Sequence, residues 1–236
     1  MLDTVQGAWL DRPLAAAFLG FNLLPADWTH PSHSTPWNVD EDLQAKLLAC
    51  GALASADPRV LRRHASAMRL NSLGPDEAVV PGLRDPALPV FMACEESFER
   101  LRVGCGLAML GPSIRRIITR DDLQALRAEL TREELDFARG SASSLLPADA
   151  SEGVAVSLGH VREQARELGD QVLAVVSEHA CPPVACRGRL RLPSMTQPSP
   201  FELPLPLRNG ASALALARGV LLEVDPEWMS LFPAYP

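Results

Sequence analysis

The chain has 236 residues, 47% of them hydrophobic and 22% charged, with a formal net charge of −7. That is enough apolar material for one substantial core or two small ones without staples, and it excludes a chain disordered throughout. The acidic balance and the scatter of basic residues speak against a nucleic-acid phosphate backbone as partner.

The first helix is expected from Pro13 to about Gly20, in a segment holding Trp9, Trp28 and Trp37 among Pro25, Pro31 and Pro36. These rings either pin the segment onto the core or form an aromatic docking patch, since Trp is enriched at interface hot spots. Asp40 precedes a helical run from Glu41 to Leu48, Asp57-Pro58 precedes one from Arg59 to Leu70, and Asp85-Pro86 precedes one from Ala87 to Leu110. In the last, Phe91, Cys94, Phe98, Leu101, Cys105 and Ala108 recur at three- and four-residue steps and form a buried stripe, with Glu95, Glu96, Glu99, Arg100 and Arg102 on the opposite face, which is solvated or meets a polar partner. Gly111-Pro112 reads as its stop and as the start of the next helix.

Thr131 to Glu134 is a capping box, so a helix runs from there to Arg139 before Gly140. Residues 141–151 read as a loop joining an N-terminal helical half, 1–140, to a C-terminal part, 152–236. The apolar spacing from Glu152 to His179 predicts the longest amphipathic helix. Beyond it, Val184, Cys186, Gly188, Leu190 and Leu192 alternate with Arg187, Arg189 and Arg191, and Phe201 to Leu207 alternate likewise. That period of two predicts a small β-hairpin with an arginine-lined outer face, and a last helix follows from Ala211 to Glu223. The expected fold is mainly α, a single globular helical protein with a C-terminal hairpin.

Chemistry is hard to find in the pattern. Lys46, the only lysine, follows Ala45, so no phosphate-binding loop exists. His30 with His33, and His179 with Cys181 and Cys186, offer nitrogens and thiols without a zinc spacing, and the five cysteines are scattered as reduced thiols would be. Glu95-Glu96 and Asp121-Asp122 are helix neighbours that diverge by about a quarter turn and cannot share a reacting atom. No cofactor, no metal and no catalytic residue is expected. An enzyme assembled from dispersed residues around His160, His179 and Cys181 is the rival, and a secretion chaperone holding an effector segment is a third reading. Uncharged apolar stretches such as Val103–Ile114, at 12 residues, fall short of the ~20 a spanning helix needs, and the start of the chain, with Asp3 and Asp11 before Arg12, lacks a secretory signal. A cytosolic protein is expected.

Three segments carry a resemblance: Leu101 to Leu130 with its Gly111-Pro112 break and paired Arg115-Arg116, Leu24 to Trp28, and Cys186 to Pro193. Together they resemble the K-type sorting-platform component of bacterial type III secretion systems, over about the central half of the chain and with residues 30–85 outside it. The resemblance implies a mostly helical, non-catalytic cytosolic adaptor of the injectisome. Its implied partners are the cytosolic domain of the inner-membrane ring (D-type) protein above and the pod (Q-type) protein below, with no nucleic acid and no direct membrane insertion. Candidate contact residues are Trp28 and Trp37, Arg115 and Arg116, and the Arg187, Arg189, Arg191 face.

Overall fold

The computed structural model describes residues 12–33, 58–74, 76–77, 79–150, 154–194 and 200–232. In chain order the helices are α1 (Arg12–Leu23), α2 (Pro58–Ser72), α3 (Leu88–Phe91), α4 (Glu95–Arg116), α5 (Arg120–Glu129), α6 (Arg132–Arg139), α7 (Val161–His179), α8 (Pro182–Arg191), α9 (Gly210–Val224) and α10 (Pro226–Ser230). Short 3-10 turns occupy Pro25–Trp28, Ser141–Leu145, Ala148–Ala150 and Leu205–Arg208. No strand occurs among the described residues, and no helix among them is long and apolar enough to cross a membrane. The predicted helix over Glu41 to Leu48 lies outside the described residues, as do Trp9, Trp37 and Cys50.

The chain folds as two compact units. Residues 84–181 and 195–236 make one, and residues 1–83 with 182–194 make the other.

The larger unit is built around α4. A helix buried on one face reads as a stripe, whereas every residue of α4 from Leu101 to Gly111 is buried, which makes it the centre of the unit. Cys94 caps its start, its sulfur accepting from the Ser97 amide at 3.5 Å, with Glu95 and Glu96 in the first turn and Arg115 and Arg116 in the last. Both ends therefore complement the helix dipole.

Two expectations change here. The helix expected from Ala87 to Leu110 is split by a break at Met92–Cys94, and it does not stop at Gly111-Pro112 but continues to Arg116. Pro112 removes one intrahelical hydrogen bond. Gly111 serves close packing instead of termination, because a Cβ there would lie 2.7 Å from the Ala138 carbonyl oxygen at the end of α6.

The same device sets α7 against α4. A Cβ on Gly106 would overlap the Ala165 backbone, and one on Gly169 would overlap the Arg102 carbonyl. The pairs 102 with 169 and 106 with 165 run in opposite senses, so the two helices are antiparallel and touch backbone to backbone. Gly104 gives α9 the same access through Val220. The predicted start of α7 at Glu152 moves to Val161, because Gly159 adopts φ +94° in a turn just before it. Leu158, one of the apolar residues in that predicted span, precedes the helix and is 40% exposed. Gln164 secures this entry, its amide oxygen accepting from the Ser157 amide and its NH2 donating to the Ala155 carbonyl.

The capping box at Thr131 and Glu134 forms as predicted, and Thr119 caps α5. The helix predicted from Ala211 to Glu223 is α9, which agrees within a residue at each end, and in α10 beyond it Trp228 Nε1 donates to the Pro89 carbonyl at 2.8 Å, holding the tail.

In the smaller unit, Leu14, Phe18 and Phe21 form the buried face of α1. Asn22 turns inward below them, accepting from the Val80 amide at 2.8 Å. The turn at Pro25–Trp28 follows, and the Ala26 amide donates to Ser66 Oγ of α2 at 3.2 Å.

The predicted hairpin does not form. Residues 182–191 are the helix α8, opened by Pro182-Pro183 in its first turn, where proline is favoured. Residues 201–208 are irregular and end in a 3-10 turn, with Pro204 and Pro206 lacking the amides a ladder requires. Leu203 and Leu207 still point inward and Leu205 is 78% exposed, so that alternation is kept without a strand.

Candidate functional site

The arginines of α8 show why the alternation misled. Arg187 and Arg191, four apart, lie on one helical face and are 2% and 3% exposed, while Arg189 lies on another and is exposed. The three do not share an outer face. Arg187 donates through Nε to the Phe21 carbonyl at 2.9 Å, through one terminal nitrogen to Glu77 and Pro183 carbonyls at 2.8 and 3.0 Å, and through the other to the Asn22 carbonyl at 3.2 Å. Burial lowers its pKa, and the nearby Cys186 thiol partly opposes this. A guanidinium nevertheless stays charged, solvated here by backbone oxygen.

Arg191 lies over the Trp28 ring at 4.9 Å, and Trp28 meets Phe21 edge-on at 5.9 Å. Of the two roles weighed for Trp28, pinning the segment to the core is the one its contacts serve. Arg189 approaches Glu77 at 3.9 Å across the surface. Cys186 has a raised pKa, chiefly from burial and then from Glu77, opposed by the arginines beside it.

His30 and His33 are occupied in the same unit. His33 Nε2 bonds the Leu192 and Arg189 carbonyls at 2.7 and 3.0 Å, and His30 Nδ1 bonds Ser32 Oγ at 2.8 Å. Among the described residues no three His, Cys, Asp or Glu side chains converge in a way that could hold a metal ion.

In the larger unit the most concentrated charge lies between α4 and α7. Arg102, on the face expected to be solvated or to meet a polar partner, is 7% exposed and forks onto Asp170, itself 5% exposed, with Nε and NH2 contacts of 2.5 and 2.7 Å. Its remaining terminal nitrogen reaches Glu99 at 2.7 Å, and Glu99 in turn accepts from Arg166 Nε at 2.7 Å. Burial alone would lower the pKa of Arg102, but the hydrogen bond and charge of Asp170, then those of Glu99, outweigh it and raise it. Cys105, fully buried beside this network, is pushed far up by burial and then by Asp170. The network closes on itself between two touching helices.

A shallow depression of about 220 Å³ is lined by residues including Asp85, Ala87, His179, Gly210 and Leu214. Both Asp85 oxygens are engaged, by the Ala87 amide at 2.8 Å and the Cys181 amide at 2.7 Å, and His179 Nδ1 bonds the Val175 carbonyl at 2.9 Å. His179 and Cys181 thus come close to one carboxylate, which no spacing rule revealed. His160 stands at the opposite end of the 19-residue α7, about 28 Å away at 1.5 Å per residue. The dispersed trio is therefore not assembled.

The Arg115-Arg116 pair sits at the end of α4. Arg115 donates to the Gly140 carbonyl at 3.0 Å and to Ser143 Oγ, tying α4 to the turn after α6. Arg116 is exposed. Between it and α5 the chain extends through Ile117 to Thr119, whose hydroxyl accepts from the Asp122 amide at 3.3 Å and donates to the Asp122 carboxylate at 2.6 Å. Ile118, in that fixed corner, is 82% exposed. Of the three isoleucines in this stretch, Ile114 is buried and Ile117 half-buried, so apolar character alone does not single out Ile118. Trp37 lies outside the described residues.

No protein-family model, no curated protein and no solved structure matches this chain.

Proposed function

We propose that this chain is a non-catalytic adaptor of a type III secretion sorting platform, working in the cytoplasm against the inner membrane and joining the ring's D-type protein to the Q-type pod protein. The resemblance of residues 101–130 motivates the reading. The observation that carries it is the corner within that stretch, between α4 and α5. There a nearly bare isoleucine, Ile118, stands between exposed Arg116 and Arg120, on backbone held at both sides by capping and by the Arg115 tether. An exposed large apolar side chain on rigid backbone, rimmed by arginine, is the composition of an interface anchor. No turnover is required of such a protein. Contacts that are weak singly give a stable assembly when repeated around a ring, because linkage raises the effective concentration.

A tagged chain expressed in its native bacterium, purified under mild conditions and examined by mass spectrometry, should bring both the ring and the pod protein with it. Recovery of neither sinks the reading. The arginines of α8 no longer supply the test surface, since reversing Arg187 or Arg191 would bury an uncompensated carboxylate and unfold the smaller unit.

A further inference from the structure

We propose that the corner between α4 and α5 docks an acidic segment of a protein partner, in which an apolar side chain is flanked by carboxylates. The identity of that partner rests on the adaptor reading; its chemistry rests on the surface alone.

From Ile114 to Arg120 the sequence carries three arginines and no acid, within a chain whose net charge is −7. Arg116 and Arg120 are exposed on either side of Ile118. The bond from Arg115 to the Gly140 carbonyl ties the end of α4 to the turn after α6. Neither Arg116 nor Arg120 is held in an ion pair among the described residues. Arg115 is committed to the protein itself.

Two acids adjoin the corner. Asp122 is used in the Thr119 cap, and Asp121 follows Arg120 in the first turn of α5, where it complements the helix dipole. The surface is thus one apolar knob with an exposed guanidinium fork two residues to either side of it in the chain. Guanidinium forks match carboxylates two bonds at a time, and Ile118 asks for an apolar neighbour between them. A symmetric contact with a second copy would set arginine against arginine. An anionic membrane surface typically draws clusters of about four to eight basic residues, more than the two free forks here. The charge pattern therefore selects an acidic protein segment.

The test uses the full chain and a fluorescein-labelled peptide of repeated Leu-Glu-Glu-Leu, with a Leu-Lys-Lys-Leu peptide as its opposite, read by fluorescence anisotropy at physiological salt. The acidic peptide should bind the wild type, and its affinity should fall at least tenfold in Ile118→Glu and in Arg116→Glu/Arg120→Glu. The lysine peptide should gain on the double variant. Arg63→Glu, exposed on α2 of the other unit, should change nothing, and unaltered circular dichroism and thermal midpoint show that the variants are folded. Equal affinity for wild type and variants overturns the proposal. So does binding to vesicles of equimolar phosphatidylcholine and phosphatidylserine that the variants lose while peptide binding is absent, or a dimer that Ile118→Glu dissolves. Failure of the wild type to recover ring and pod proteins would remove the adaptor reading and leave the peptide result standing.

Discussion

Arg102 and Arg187 are both buried guanidiniums, and they are neutralised in different ways. Arg102 faces carboxylates on both sides, whereas Arg187 faces only backbone carbonyls. Removing one partner of a buried pair leaves the other charge uncompensated, so Asp170→Asn is expected to cost about 3 kcal/mol in urea denaturation. Arg187→Ala strands carbonyls of Phe21, Asn22 and Glu77 and should cost about as much, since bonds to charged groups are worth roughly 1.5–3 kcal/mol each. Cys105 supplies a pH dependence. Its folded pKa lies far above the 9.0 of an exposed thiol, so the unfolded state ionises first. Stability from this group is intact below pH 9 and drains as pH rises beyond it, by up to about 1.4 kcal/mol per pH unit. Chemical denaturation at pH 8 and pH 10 should show the loss in wild type and a flatter response in Cys105→Ala. In native protein at pH 8, iodoacetamide should label the exposed Cys94 and leave Cys105 unmodified, as read by mass spectrometry.

Among the elements, glycine substitution separates two uses of the same residue. Alanine in a helix interior ordinarily gains up to about 1 kcal/mol over glycine. At Gly20 an added Cβ would sit 3.8 Å from Trp28, an ordinary contact, so Gly20→Ala should raise the thermal midpoint. At Gly106 it would strike the Ala165 backbone, which cannot swing aside, and Gly106→Ala should lower stability by about 1–3 kcal/mol or more. Capping chemistry was readable in advance at Thr131, and proline marked the start of α2, because those signals act within one turn. The Gly111-Pro112 stop was misread because the need for that glycine comes from Ala138, a neighbour no local rule can see. The strand expected at Val184–Leu192 failed for a related reason. Polarity was taken as exposure, and two of its three arginines are buried.

At the scale of the molecule, mainly helical architecture was legible from periodicity, while the partition into units was not. The chain leaves the smaller unit at residue 83 and returns for residues 182–194 alone. Pairing between segments a hundred residues apart has no signature in a single sequence. A fragment covering residues 1–83 should lack a cooperative thermal transition, and a synthetic peptide of residues 182–194 added in trans should restore helical circular dichroism beyond the sum of the two. Full cooperativity in the fragment alone would show that α8 is dispensable to its fold. The candidate site was half legible: Arg115-Arg116 stood out, whereas Ile118 became visible only once the corner had a shape.

The late return of α8 also sets a schedule for synthesis. A ribosome adding 5–20 residues per second needs roughly 5 to 20 s to pass from residue 83 to residue 194. Throughout that interval Phe21 and Trp28 have emerged without Arg187 or Arg191 to close over them. The nascent chain is then most exposed to chaperones and proteases at its beginning, although that part was made first.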